Sequence, residues 1–348
     1  FQKLEQITSV NMTMTSYFRP ILRTGSPRTK DSIIFAETNY WINEAEEIKL
    51  GKKTDLVSIN DVPDRWTKRW LGKRPDILGM KFGYPKLMGI LNVTPDSFSD
   101  GGKYLGLDAA LKQAEFMEDD GADIIDIGGE STRPGALKIS VLEEIKRIEP
   151  VINKISSKSR IPISVDTRKS KVASAAHKAG AAMVNDVSGF TFDPDLLSYC
   201  SEHKLPVCVM HMQGLPENMQ NNPKYENILI EVFDFLEAQI ETLVQAGISR
   251  EKIFADIGIG FGKNLEHNLA LIKNISFFHG LGVPLLLGVS RKSIISNLAR
   301  VKNPKDRVHG SISIAVSALA QGVQLFRVHD VAETKQAFDL WVAVNFGD

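Results

Sequence analysis

A chain of 348 residues, 43% hydrophobic and 24% charged, is long enough to bury a core without disulfide staples. Its 42 basic and 42 acidic side chains cancel, which argues against a general polyanion or membrane-surface binder, and no apolar run approaches the length of a bilayer span. Cys200 and Cys208 are too few for a disulfide scaffold. One falls in a helix-like pattern and the other in a strand-like run, so both are expected as buried free thiols in a reducing compartment.

The chain opens on Phe1 and not on Met, so a start further upstream is expected. The stretch FQKLEQITSVNMTM lacks an apolar signal core and carries Glu5 with little arginine, which leaves the cytoplasm as the expected location. Residues 1–85 show no strand–helix rhythm. They do hold Trp41, Trp66 and Trp70, three of the four tryptophans, which argues against disorder. The spacing predicts a short helix over 61–73 with Trp66 and Trp70 at i, i+4. This segment reads as an ordered appendage without chemistry of its own, followed by a catalytic domain over 86–348.

From Lys86 short apolar runs alternate with longer amphipathic ones. Strands are predicted at 87–92, 124–128, 161–166, 183–187, 207–211, 253–257, 284–289 and 325–329. Helices are predicted at 108–120, 139–157, 169–179, 194–203, 225–246, 266–274, 304–321 and 331–342. Eight such units in about 260 residues are the size of a (β/α)8 TIM barrel. A doubly wound open sheet is the runner-up, but no Gly-rich dinucleotide turn follows the first strand.

In an α/β barrel the chemistry stands at the C-terminal strand ends. Here the first strand opens at Asn92 into TPDSFSDGG, and the second gives Asp126 and then GGESTRPG. The others end in Asp166, Asn185–Asp186, Met210–His211, Asp256 with Lys263, Ser290–Arg291–Lys292, and Arg327 with His329. Each has a structural alternative: Asp166 as a helix cap, Asp186 and Ser188 as turn formers, His211 as a hydrogen-bonded core histidine. Eight polar strand ends together exceed what caps explain, and Lys292, Arg327 and His329 cap no helix N-terminus well.

Sorted by chemistry, Asp166, Asn185, Asp256 and Lys292 suit the edge of a flat polar heterocycle, with Met210 and Phe261 as apolar faces. Arg327, His329 and Arg133 suit a phosphorylated anion. Asn92 and the loop oxygens suit a hard cation such as Mg2+. No His/Cys cluster for zinc and no convincing Ser-His-Asp or Cys-His arrangement is present.

The stretches MGILNVTPDSFSDGGKY, DIGGESTRPGA, ISVDTRKSKVA, VNDVSGF, VMHMQG, DIGIGFGK, LLGVSRKSII and FRVHDVAET follow one another over roughly 86–340. Through them the chain strongly resembles the dihydropteroate synthases, the folate-pathway transferases that sulfonamides target. The resemblance implies a (β/α)8 homodimer that binds neither nucleic acid nor membrane. It implies condensation of (7,8-dihydropterin-6-yl)methyl diphosphate with 4-aminobenzoate, giving 7,8-dihydropteroate and diphosphate through a pterin-stabilised cation. It assigns Asp166, Asn185, Asp256 and Lys292 to the pterin ring, and Asn92 to Mg2+ and diphosphate. Arg327 and His329 match the diphosphate pair. Asp96, Phe98 and Asp100 in the first loop, Thr132 and Arg133 in the second, and Ser293 match the aminobenzoate pocket. On this reading Asp166, Lys292, Arg327 and His329 are the catalytic group.

Two positions depart from the family's usual pattern. Ile257 replaces the usual proline of DPGIGFGK, and Ile294 stands where phenylalanine often follows SRKS. Two other readings were weighed. A methyl-folate methyltransferase shares the ring-binding logic but does not need the NVTPDSF loop, Lys292 or the Arg327/His329 pair. A non-catalytic pterin-binding paralogue should have lost loop or anion residues, and none is lost.

Overall fold

The computed structural model describes residues 16–94, 103–133, 135–215 and 217–347. It begins with β1 (Tyr17–Pro20), β2 (Ile33–Ile34), β3 (Trp41–Ile42), β4 (Glu44–Ile48), β5 (Asp55–Ser58) and α1 (Asp64–Leu71). β1, β4 and β5 form an antiparallel sheet, and β2 pairs with β3. α1 falls inside the predicted helix, whereas the small sheet was not foreseen.

Both tryptophans of α1 face inward. Trp66 lies 5.4 Å from the Phe233 ring and stacks on Phe277 at 6.3 Å. A Cβ on Gly280 would sit 2.2 Å from Trp66, so a side chain there would have to displace the indole. Arg69 clasps Glu237 at 2.7 Å and donates to the Gly280 carbonyl at 2.8 Å. The appendage therefore shares one hydrophobic core with the rest of the chain. Its last turn, Ile77 to Met80 with Leu78 and Gly79 at positive φ, puts Ile77, Met80 and Phe82 against the barrel's lowest interior layer.

The barrel strands are β6 (Lys86–Asn92), β7 (Ile124–Gly128), β8 (Ile163–Asp166), β9 (Met183–Asp186), β10 (Val207–Met210), β11 (Ile253–Asp256), β12 (Leu285–Leu287) and β13 (Leu325–Val328). All neighbours are parallel, and β13 pairs with β6 to close the cylinder. The helices are α2 (Lys103–Asp119), α3 (Val141–Lys158), α4 (Ser170–Ala179), α5 (Pro194–Glu202), α6 (Ile228–Gln245), α7 (Leu265–Lys273), α8 (Ser293–Ala299), α9 (Val308–Leu319) and α10 (Val331–Phe346). All eight strands stand where the apolar runs place them, because strands buried on both faces read as continuous hydrophobic stretches. α8 was not predicted. No described helix is long and apolar enough to cross a membrane.

Alternation along the strands divides the interior into layers. Met88, Ile124, Met183, Cys208, Phe254, Leu286 and Leu325 pack together with Ile77, Met80 and Phe82 as an apolar floor. Two residues further along stand Ile90, Asp126, Asn185, Met210, Asp256, Gly288 and Arg327. The floor is a packed plug and the upper layer is polar, so the chemistry lies at the C-terminal mouth. Cys200 and Cys208 are both buried and free, as expected.

Candidate active site

Strand register fixes the rim. Asn92 pairs with Gly128, Gly128 with Asp166, and Asp166 with Asn185, so the polar side chains of β6, β8 and β9 stand at one level with Gly128 of β7 between the first two. Gly128 leaves the space between them open: a Cβ there would lie 3.7 Å from Asp166 Oδ2 and 3.8 Å from Asn92 Oδ1.

Arg327, on β13 beside β6, ties this rim together. Its Nε donates to Asp126 Oδ2 at 2.6 Å and its Nη2 to Asp166 Oδ2 at 2.8 Å. Asn185 Nδ2 donates to the same Asp126 oxygen at 3.1 Å. The remaining oxygens, Asp126 Oδ1 and Asp166 Oδ1, are buried and have no protein partner. A buried acceptor without a donor is costly, so these two oxygens mark the least satisfied polar groups of the rim. Asp126 was seen at its strand end but given no role. The signal was available, since IIDIG holds a single acid in an otherwise apolar strand.

Asp256 and Lys292 meet on the next wall. Asp256 Oδ1 accepts from Gly258 N at 2.8 Å, which bends the chain away from the strand end. Lys292 donates to the Ile259 carbonyl and holds its Nζ 4.8 Å from the Phe261 ring centroid. Below this loop Lys263 is buried, donating to Phe261 O at 3.0 Å and to His211 Nδ1 at 2.9 Å. The structure thus supports the core-histidine reading of His211. Met210 is buried beside Asp256 in register.

Burial sets the protonation chemistry. It pushes the Asp166 carboxyl up to about 7 against the pull of Arg327. It also raises Asp256, with Lys292 opposing, and lowers Lys292 to about 8. Burial opposes the charge on Arg327, but Asp126 and Asp166 outweigh it and drive that pKa above its ordinary value. His329 falls to about 3 through burial and the cations Arg327, Arg291, Arg133 and Lys292 around it. Its backbone N–H donates to Ser290 Oγ at 3.1 Å, and Ser290 Oγ lies 3.0 Å from Nδ1. The serine hydroxyl is then free to donate to Nδ1, which selects the neutral tautomer carrying its proton on Nε2.

Arg133 acts on His329 electrostatically but is itself exposed, and Thr132 is half-buried in the same loop. Ser293 opens α8 and is exposed. Asp96, Phe98 and Asp100 lie outside the described residues. For the Mg2+ expected at Asn92, the rim offers the Asn92 amide oxygen near the Asp166 carboxylate, with no soft ligand. Among the described residues no cluster of three His, Cys, Asp or Glu side chains forms a cage. That donor set fits a hard cation completing its shell with phosphate and water.

A family model described as pterin binding enzyme matches residues 88–329. The dihydropteroate synthase of Escherichia coli (strain K12) is 48% identical over 258 residues, covering 74% of this chain and 91% of the relative. The Yersinia pestis dihydropteroate synthase, solved with a sulfonamide drug, superposes with a TM-score of 0.72 at 46% identity, covering 76% of this chain and 96% of that one. The Xanthomonas albilineans enzyme, solved with 4-aminobenzoic acid, gives a TM-score of 0.73 at 41% identity, covering 78% and 97%. A barrel matched along nearly its whole length, with every strand-end motif in order, makes this chain a member of the pterin-binding enzymes, in the dihydropteroate synthase family.

Proposed function

We propose that the chain condenses (7,8-dihydropterin-6-yl)methyl diphosphate with 4-aminobenzoate to 7,8-dihydropteroate and diphosphate, using the residues at this barrel mouth. The observation that carries the reading is the Arg327 clamp: two buried carboxylates held by one guanidinium, each with its second oxygen free. A pterin presents adjacent ring and amino N–H donors, which a carboxylate at this mouth recognises, and the clamp fixes Asp166 there. Asn185, Asp256 and Lys292 complete the edge, with Met210 and Phe261 at the faces.

In the reaction the bond from the methylene carbon to the diphosphate oxygen breaks, and its electron pair leaves with diphosphate. The ring conjugates with the resulting cationic carbon, and the ionised Asp166 stabilises that charge. Arg327, Arg133 and the Nε2–H of His329 receive the diphosphate. Asn92 would hold Mg2+, which supplies charge neutralisation on the leaving group when bound. The arylamine nitrogen attacks the carbon, a C–N bond forms, and the amine proton is released. A neutral arylamine is already nucleophilic, so little general-base work is required. Thr132, Ser293 and the loop residues Asp96, Phe98 and Asp100 are assigned to the aromatic amine. Sulfonamide binding at that subsite belongs to the same reading.

Steady-state kinetics test these roles. Asp166→Asn and Lys292→Ala are expected to lose far more than tenfold in kcat/KM (about 1.4 kcal/mol per tenfold) with unchanged circular dichroism. Asn92→Ala is expected to raise the Mg2+ requirement. A loss under tenfold for either of the first two removes its assigned role.

A homodimer is proposed with the cytoplasm as its location. Half-buried Ile312, Ile314 and Val316 on α9, with exposed Leu298 on α8, give an apolar surface that a second copy would cover.

A further inference from the structure

The loop of residues 130–139 leaves β7 and returns at Ile139, just before Ser140 caps α3. Its two ends meet at one buried cation. Glu130 Oε1 accepts from the Ile139 N–H at 3.0 Å. Lys169 Nζ donates to Glu130 Oε1 at 3.0 Å, to the Ile139 carbonyl at 2.9 Å and to Glu144 Oε2 at 2.7 Å. The three donors of an ammonium are thus used on the loop's first residue, its last residue and the helix that follows. Thr167 Oγ1 holds the other Glu144 oxygen at 2.8 Å, and Arg168 pairs with Glu130 Oε2 at 3.3 Å. Arg147 adds a bond to the Gly129 carbonyl at 2.9 Å.

Thr167, Arg168 and Lys169 follow Asp166 directly. The network therefore ties the neck of the second loop to the strand that carries the pterin-side carboxylate. Two acids and two bases, all buried, form a closed set whose hydrogen bonds define a geometry. Buried ionic clusters add little net stability compared with well-packed apolar residues, and their best-attested use is fixing register. The residues between the two pinned ends include Thr132 and Arg133, on a short turn closed by Ala136 N to Arg133 O at 3.0 Å.

We propose that Glu130, Lys169 and Glu144 are positioning residues that lock this loop's neck, setting Thr132 and Arg133 for the aromatic amine. The inference rests on the proposed function for the identity of that substrate, while the lock itself is read from the contacts above. None of the three touches the reacting atoms. Arg133 also receives the diphosphate, so the lock acts on the aromatic amine and on the diphosphate arm, whereas Asp126 and Asp166 beside the pterin ring are held by Arg327.

Lys169→Met keeps the volume of the side chain and removes its charge. In the folded variant the KM for 4-aminobenzoate is expected to rise by about tenfold or more, while the Kd for a pterin without the diphosphate arm stays within about twofold. In a background carrying both Thr132→Ala and Arg133→Ala the same substitution should add less than about twofold, since the residues it positions are gone. Amide exchange at Ile139, measured without substrates, should quicken by about tenfold or more. Glu130→Gln, which keeps an acceptor for Ile139 and is gentler on folding, should show the same split at smaller size. A folded variant whose KM for 4-aminobenzoate is unchanged, whose affinity for the diphosphate-free pterin falls as far, or whose Ile139 exchange is unchanged, overturns the lock. A wild-type protein inert with both substrates overturns the proposed activity instead, and the exchange result then decides the lock alone.

Discussion

Arg327 holds two carboxylates whose sequence positions lie 161 and 201 residues away, and that reach across the barrel decides how the site titrates. Burial puts Asp166 near 7 and Lys292 near 8 in the free protein. An acid with a raised pKa is neutral below that value, and a lysine with a lowered pKa is neutral above it. The profile of kcat/KM should therefore be bell-shaped, rising through about pH 7 and falling through about pH 8. Lys292→Arg should keep the acidic limb and lose the basic one, because a guanidinium holds its proton. A profile flat from pH 6 to 9 contradicts both roles. Asp126→Asn should cost about tenfold or more in kcat/KM by removing the negative charge that pairs with Arg327. Most of this set was legible as strand-end residues. The lone acid in IIDIG marks Asp126 as a site residue, but nothing in that strand names Arg327 on the last strand as its partner.

Gly258 shows what an element's end demands. Its φ is +67°, and a Cβ would stand 1.9 Å from the His211 carbonyl. Gly258→Ala should displace the loop that carries Phe261 and raise the KM for pterin diphosphate by about tenfold or more, with the barrel intact by circular dichroism. Unchanged kinetics would show that this loop does not shape the pterin subsite. The same loop lacks the proline usual in the family, and the bond from Gly258 N to Asp256 keeps its turn in place. α8 escaped prediction for a local reason. Lys292 begins it without a side-chain cap, and Arg300 ends it at φ 58° where glycine is the usual signal. The appendage sheet escaped because its strands are two to five residues long and none alternates cleanly. The barrel strands were readable because burial on both faces leaves uninterrupted apolar runs.

The whole molecule buries histidines in neutral form. Burial lowers His211 to about 2 and His279 to about 3, with Lys263 and Arg74 adding to it. An unfolded histidine takes its proton near 6.5, so between those values the unfolded chain binds more protons. The stability these two histidines contribute is then fully present above about pH 6.5 and is lost as pH falls below it. Each histidine contributes up to about 1.4 kcal/mol per pH unit. His279→Gln should shrink the slope of unfolding free energy between pH 6 and 5 by about one proton, measured by urea denaturation, and an unchanged slope contradicts its buried neutral state. The central claim concerns what the barrel mouth does. Purified protein with Mg2+, pterin diphosphate and 4-aminobenzoate should release diphosphate in step with dihydropteroate, with both substrates required. Release of no diphosphate from that mixture would contradict the account.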